Sequence, residues 1–185
     1  MAIILNLETA TKTCSVAVAE NGSCLAFKEL TSEQFSHAEK LNGFIEEVLA
    51  SAKLNLKDLQ AVAISEGPGS YTGLRIGTST AKGLCFGLDI PLISSNSLKA
   101  LATLAKTDAD FICPMFDARR LEVYMAMYDK NLNELEPTQA KVIDDLSFSD
   151  YQDKKVLFIG PGALKCRDIL KNNNWQFSGL EVSAL

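Results

Sequence analysis

The segment of this 185-residue chain that comes nearest to a ligand-binding pattern is Gly67-Pro-Gly69-Ser-Tyr-Thr-Gly73. A glycine-rich turn entering a helix can hold phosphate on free backbone amides at the positive helix end. The spacing departs from the familiar versions. A dinucleotide fingerprint needs Gly-x-Gly-x-x-Gly, and a Walker loop needs Gly-Lys-Ser/Thr. The same glycines also suit a tight turn with close packing, which the spacing favours. Gly160-Pro-Gly162 repeats the unit in the second half of the chain.

Glu8, followed by Thr9-Ala-Thr11, stands at the end of a first apolar run, where ligand loops commonly gather. A plain surface turn with hydroxyls capping loose amides is the alternative. Asp117-Ala-Arg119-Arg120-Leu-Glu122 places two arginines beside an aspartate. The pair could take a phosphate or carboxylate bidentately, or form an internal salt bridge that fixes the turn. The structural version is preferred. His37 is the only histidine, and the position one helical turn on is Leu41. One imidazole without a cysteine or carboxylate cluster cannot fill four coordination sites, so no metal is expected. A Ser-His or Cys-His pair would have to borrow this same His37, which argues against triad chemistry.

These residues need elements to position them. Ile3 to Leu7, Cys14 to Ala19 and Cys24 to Leu30 read as three antiparallel strands, the last two joined by an Asn21-Gly22 turn. A helix from about residue 35 to Lys53 follows, with Thr31, Ser32 and Ser36 as candidate caps. Ala38, Leu41, Phe44, Ile45, Val48, Leu49 and Ala52 fall on one face of it. Ala61 to Ser65 is a buried strand and 71–87 a second helix. A strand at Pro91 to Ser94 and a helix from Ser97 to Lys106 complete a β-β-β-α-β-α-β-α order over residues 1–108.

Phe111 to Phe116, Glu122 to Tyr128 and Gln139 to Ile143 read as strands, Asp144 to Tyr151 as a weak helix, Val156 to Ile159 as a strand and Ala163 to Lys171 as a helix. Strand, Gly-Pro-Gly, helix therefore occurs twice, which suggests two lobes on one plan, 1–108 and 109–185. The second lobe reads as lacking its last strand and helix, as a truncated chain would.

Gly73, Gly77, Thr80, Leu84 and Gly87 share one narrow face of the second helix. Three glycines there cost roughly 2–3 kcal/mol relative to alanine, so a compensating close approach is expected. What approaches is either the protein's own sheet or a partner's helix.

Nearly half the residues are apolar, and the formal charge is −5. A protein holding nucleic acid alone would need a basic surface to displace phosphate counterions. The five cysteines, Cys14, Cys24, Cys85, Cys113 and Cys166, are odd in number and scattered, and read as reduced. With no secretion signal and no long apolar run, the expected address is the cytoplasm, with no membrane contact.

Taken together, Glu8-Thr-Ala-Thr11, Cys14-Ser-Val-Ala-Val18, His37, Gly67-Pro-Gly-Ser-Tyr-Thr-Gly-Leu-Arg-Ile-Gly77, Ala81-Lys-Gly83, Ile90-Pro91 and Asp117-Ala-Arg-Arg-Leu-Glu-Val-Tyr124 resemble the bacterial TsaB (YeaZ) family over nearly the whole chain. The resemblance implies an actin-like ATPase or ribonuclease H-like α/β fold with two lobes, each a mixed five-stranded sheet with helices. It implies a part in making threonylcarbamoyladenosine in tRNA, as a non-catalytic scaffold without cofactor. Catalysis would come from a TsaD-type transferase, supported by a TsaE-type ATPase, with tRNA met only through the complex.

The two histidines four apart that hold metal in the transferase correspond here to His37 and Leu41. Glu8 stands where the family usually has aspartate, so Glu8, Thr9, Gly67, Gly69, Gly160 and Gly162 would be vestigial phosphate loops. His37, Leu41, Phe44, Ile45, Val48, Gly73, Gly77, Thr80 and Leu84 would form the partner-binding face, more apolar and exposed than a monomer tolerates. The same face would pair two copies when the partner is missing. The competing readings are a metallopeptidase-like or kinase-like ATPase enzyme, a direct RNA-binding module, against which the acidic balance argues, and a general interaction domain with a different partner.

Overall fold

Residues 2–32, 37–180, 182 and 184 are described by a computed structural model, with His37 described in its backbone alone. They divide into two compact units, residues 1–96 with 183–185, and residues 97–182. Each carries a five-stranded mixed sheet with helices, the two-lobed actin-like, ribonuclease H-like plan that the sequence suggests.

In the first unit, β1 (Ile3–Glu8), β2 (Thr13–Glu20) and β3 (Ser23–Thr31) are consecutive antiparallel strands. The β2–β3 connection is the Asn21-Gly22 turn, both residues at positive φ, the conformation such two-residue hairpins demand. β4 (Ala61–Gly67) and β5 (Leu92–Asn96) run parallel to β1, giving the order β3-β2-β1-β4-β5.

Helix α1 (His37–Ser51) turns its apolar arc onto β2 and β3, and α2 (Tyr71–Leu88) packs on β4. The shared core is Leu5, Leu7, Val16, Val18, Leu41, Phe44, Ile45, Val48 and Leu49 with Val62 and Ile64. Ser36, one expected cap of α1, lies outside the described residues. Ser70 caps α2 by accepting from the Gly73 amide at 3.3 Å, and Asp89 closes it in the left-handed region.

The second unit begins with α3 (Ser97–Thr103), which packs on β6 (Phe111–Asp117) and β7 (Glu122–Asp129). The division therefore falls after Asn96 rather than at residue 108, because the buried residues Leu98, Leu101 and Ala102 of α3 serve the second sheet. β8 (Glu134–Val142) is antiparallel to β7 and starts five residues before the expected Gln139. Pro137 lies inside it, which an edge strand tolerates and a central strand would not.

β9 (Val156–Ile159) and then β10 (Trp175–Ser178) add in parallel, for the order β10-β9-β6-β7-β8. The last strand, expected to be missing, is thus present. Its short Trp-Gln-Phe-Ser run carries two aromatics that stack into the core, Phe177 on Phe158 at 5.1 Å and Trp175 edge-on to Phe158 at 5.3 Å. Among the described residues no helix follows it. α4 covers only Pro161–Cys166, and the weak helix expected at 144–151 is one 3-10 turn at Ser149–Tyr151.

Candidate functional site

Glu8 ends β1 with its carboxylate 2% exposed. One oxygen accepts from the Ala10 amide at 2.6 Å and the other accepts a short bond from Ser65 on β4. Burial pushes its pKa above the ordinary carboxyl value, outweighing the lowering by Ser65 and the backbone amides. A carboxylate so enclosed is a fastener between two strand ends rather than an open ligand for metal or nucleotide. Ser65, unremarkable in the sequence, is the partner that sequence reasoning missed.

The glycine loop is occupied by the chain itself. A Cβ at Gly69 would lie 2.7 Å from that of Ala10, and one at Gly73 would fall on the Thr9 carbonyl oxygen. The Ser70 amide donates to Ala10 O at 2.6 Å, and the Gly73 amide to the Ser70 hydroxyl. Two of the amides at this helix start, those of Ser70 and Gly73, therefore already have partners, and the Ala10 and Thr9 backbone packs against the glycines. Gly67 and Gly160 share a positive φ, 107° and 109°, although of the two Gly-Pro bonds only Gly67-Pro68 is cis.

In the second unit a Cβ at Gly160 would stand 2.6 Å from Met115 O, and one at Gly162 would stand 2.9 Å from the Phe116 carbonyl carbon. The Gly160 amide donates to Ser178 O at 2.8 Å. Both loops, expected as vestigial phosphate sites at Glu8, Thr9, Gly67, Gly69, Gly160 and Gly162, are close-packed turns over the end of the first strand of their own sheet.

The expected partner face is corrected in the same way. Leu41 is 1% exposed, and Phe44, Ile45 and Val48 are buried with it beneath the sheet. Helical spacing put them on one side of α1, but that side faces the protein's own strands. Gly73 and Gly77 point inward to Thr9, whose hydroxyl stands where a Gly77 side chain would go. Thr80 and Leu84 are half-buried, Leu84 against the core. His37 begins α1, and its side chain lies outside the described residues.

The stripe is covered only at its start, and the rest of α2 is more open. Phe86 is 93% exposed, and nothing lies within 4 Å of a Cβ built on Gly83 or Gly87. Gly43 on α1 is likewise open. A phenylalanine off the buried arc of an amphipathic helix, one turn from a glycine, was the available signal.

At the β6–β7 connection, the Asp117 carboxylate accepts from the Arg119 amide at 2.7 Å and from Lys165 of α4. Lys165 also donates to Glu122 O at 2.6 Å. Burial opposes ionisation of Asp117, but the Lys165 hydrogen bond and charge with the Arg119 amide outweigh it and hold the carboxyl below its usual range. The salt bridge at this turn is therefore made by Lys165 and not by either arginine.

The family model described as TsaD, tRNA N6-adenosine threonylcarbamoyltransferase, matches residues 29–185. The tRNA threonylcarbamoyladenosine biosynthesis protein TsaB of Bacillus subtilis is 34% identical over 161 residues, 85% of this chain and 70% of that protein. The Escherichia coli and Haemophilus influenzae proteins of the same name are 36% and 38% identical over 70% and 66% of this chain. The chain spans only 56% and 52% of those two relatives' length. The solved structure of YeaZ from Pseudomonas aeruginosa superposes with a TM-score of 0.86 at 25% identity, covering 100% of this chain and 87% of that one. The duplicated strand, Gly-Pro-Gly, helix unit and these likenesses place the chain in the TsaB (YeaZ) family.

Proposed function

We propose that this protein takes part in tRNA threonylcarbamoyladenosine formation as a non-catalytic scaffold that docks a TsaD-type transferase. The observation that carries the reading is Phe86, 93% exposed and flanked by Gly83 and Gly87 with open space over both. A large aromatic left in water beside hydrogen-only side chains is the form of a hot-spot anchor. Such anchors occupy a partner's pocket while the small neighbours let a second backbone approach. The docking face is then the outer side of α2 around Phe86. The buried arc of Leu41, Phe44, Ile45 and Val48 supports it from beneath.

Catalysis belongs to the partner in this reading. The filled glycine loops and the enclosed Glu8 support that assignment, and nothing in their geometry favours a metallopeptidase or a kinase-like ATPase. A TsaE-type ATPase would join the same assembly, tRNA would be met through it, and the same face would pair two copies when the transferase is absent. Replacing Phe86 with aspartate and measuring association with the TsaD-type transferase by titration calorimetry tests the proposal. Loss of binding with an unchanged circular dichroism spectrum is expected, and undiminished binding overturns it.

A further inference from the structure

The connection between β6 and β7 is built against its own residue types. Three residues, Arg119 to Leu121, bridge Ala118 and Glu122, whose amide and carbonyl close the hairpin at 3.1 Å. Arg119 and Arg120 both take positive φ, 80° and 48°. That region is unfavourable for a residue with a Cβ, and glycine or asparagine normally fills it. Two consecutive arginines there are strained, and strain of this kind gathers at functional positions.

The neighbouring acid does not relieve them. Asp117 turns back to the Arg119 amide and to Lys165, and Lys165 grips the Glu122 main-chain carbonyl, so the base of the turn is closed. Both arginines are exposed, and among the described residues neither makes a salt bridge.

We propose that the Arg119–Arg120 turn is a phosphate clip for an RNA backbone, each guanidinium pairing with one phosphate oxyanion. Planar guanidinium matches phosphate bidentately. An exposed turn tip can meet a backbone from outside but cannot enclose a small anion as a concave site does. The clip rests on the scaffold reading for its RNA, a tRNA brought by the assembled complex. The acidic remainder of the chain explains why two phosphates alone would hold it weakly.

The test compares wild type with the double variant Arg119→Gly/Arg120→Asn, which supplies the residues the turn prefers. Affinity of the transferase complex for tRNA is measured against salt. The slope of log affinity on log salt should shrink by about 1.5 in the variant, since each phosphate no longer neutralised removes about 0.7–0.9. Complex assembly should be unchanged. The isolated variant should melt at least about 2–4 °C higher as the strain is relieved. An unchanged salt slope, or a lowered melting temperature, would mean the arginines serve the fold and the clip is wrong.

A separate arm uses the isolated protein with a 20-nucleotide single-stranded RNA at low salt. Weak binding, abolished in the variant, supports the clip even if the transferase does not associate. Equal binding by both proteins, or none by either, overturns it.

Discussion

The Thr9 hydroxyl occupies the space into which a side chain on Gly77 would project, and Ile64 Cδ1 stands 3.0 Å from the same point. That oxygen is buried and has no hydrogen-bond partner among the described residues. The two residues fix how closely α2 approaches the end of β1.

Gly77→Ala would gain about 1 kcal/mol of helix propensity but force the helix and Thr9 apart. Overpacking of this kind costs about 1–3 kcal/mol, and the Thr9 side chain has β1 behind it. Net destabilisation of up to about 2 kcal/mol is expected, read as a lower urea midpoint with unchanged slope. A stabilised variant would show that the helix can retreat freely.

Gly83→Ala is the opposite case. Its Cβ meets nothing within 4 Å, so the helix should gain about 0.5–1 kcal/mol. If α2 docks a partner here, the added methyl should weaken association while raising stability. Urea denaturation and calorimetry on the same preparation separate the two effects.

Phe86→Ala should leave stability within about 0.5 kcal/mol of wild type, as surface truncations usually do. As an interface anchor its loss should cost at least about 2 kcal/mol of binding to the transferase, roughly thirty-fold in Kd. A Kd within a factor of two of wild type would remove Phe86 from the interface.

Glu8 gives a pH signature. Its pKa is raised in the folded state from about 4.5 by burial. The folded protein therefore holds this proton more tightly than the unfolded chain. The stability it contributes is full below pH 4.5 and is lost as pH rises through the folded value. Glu8→Gln keeps the shape, and its amide can accept from Ala10 and donate to Ser65. The difference in unfolding free energy between variant and wild type should grow from pH 4.5 upward and then level off. A flat difference across that range would contradict the enclosed carboxyl.

Phe158→Ala tests whether β10 is an integral strand. Phe158 lies fully buried against Phe148, Trp175 and Phe177. Its removal should cost about 3–5 kcal/mol and red-shift Trp175 emission. Native-like fluorescence with little stability loss would mean that the β9–β10 pairing does not depend on this cluster.

Much of the fold was legible because period and turn chemistry are local. The alternation of β1 to β3, the Asn21-Gly22 hairpin, the apolar spacing of Leu41, Phe44, Ile45, Val48 and Leu49, and the paired Gly-Pro-Gly units all sit where the residue pattern puts them. β10 was illegible because four residues with two aromatics make too short a run to identify until β9 offers a parallel edge. β8 was cut short because Pro137 reads as a breaker, and its edge position could not be known.

The site shows the same division. Residue types along the chain determined that α1 and α2 each have a face needing a close neighbour, that a glutamate ends β1, and that two arginines share one turn. Which neighbour each face meets was decided only in three dimensions. Thr9 fills the glycine face at Gly73 and Gly77, the sheet takes the apolar arc, and Gly87 and Phe86 are left in solvent. Helical periodicity reports that residues lie together on a face. Whether that face is covered depends on chain segments distant in sequence, and those are brought there by the strand order.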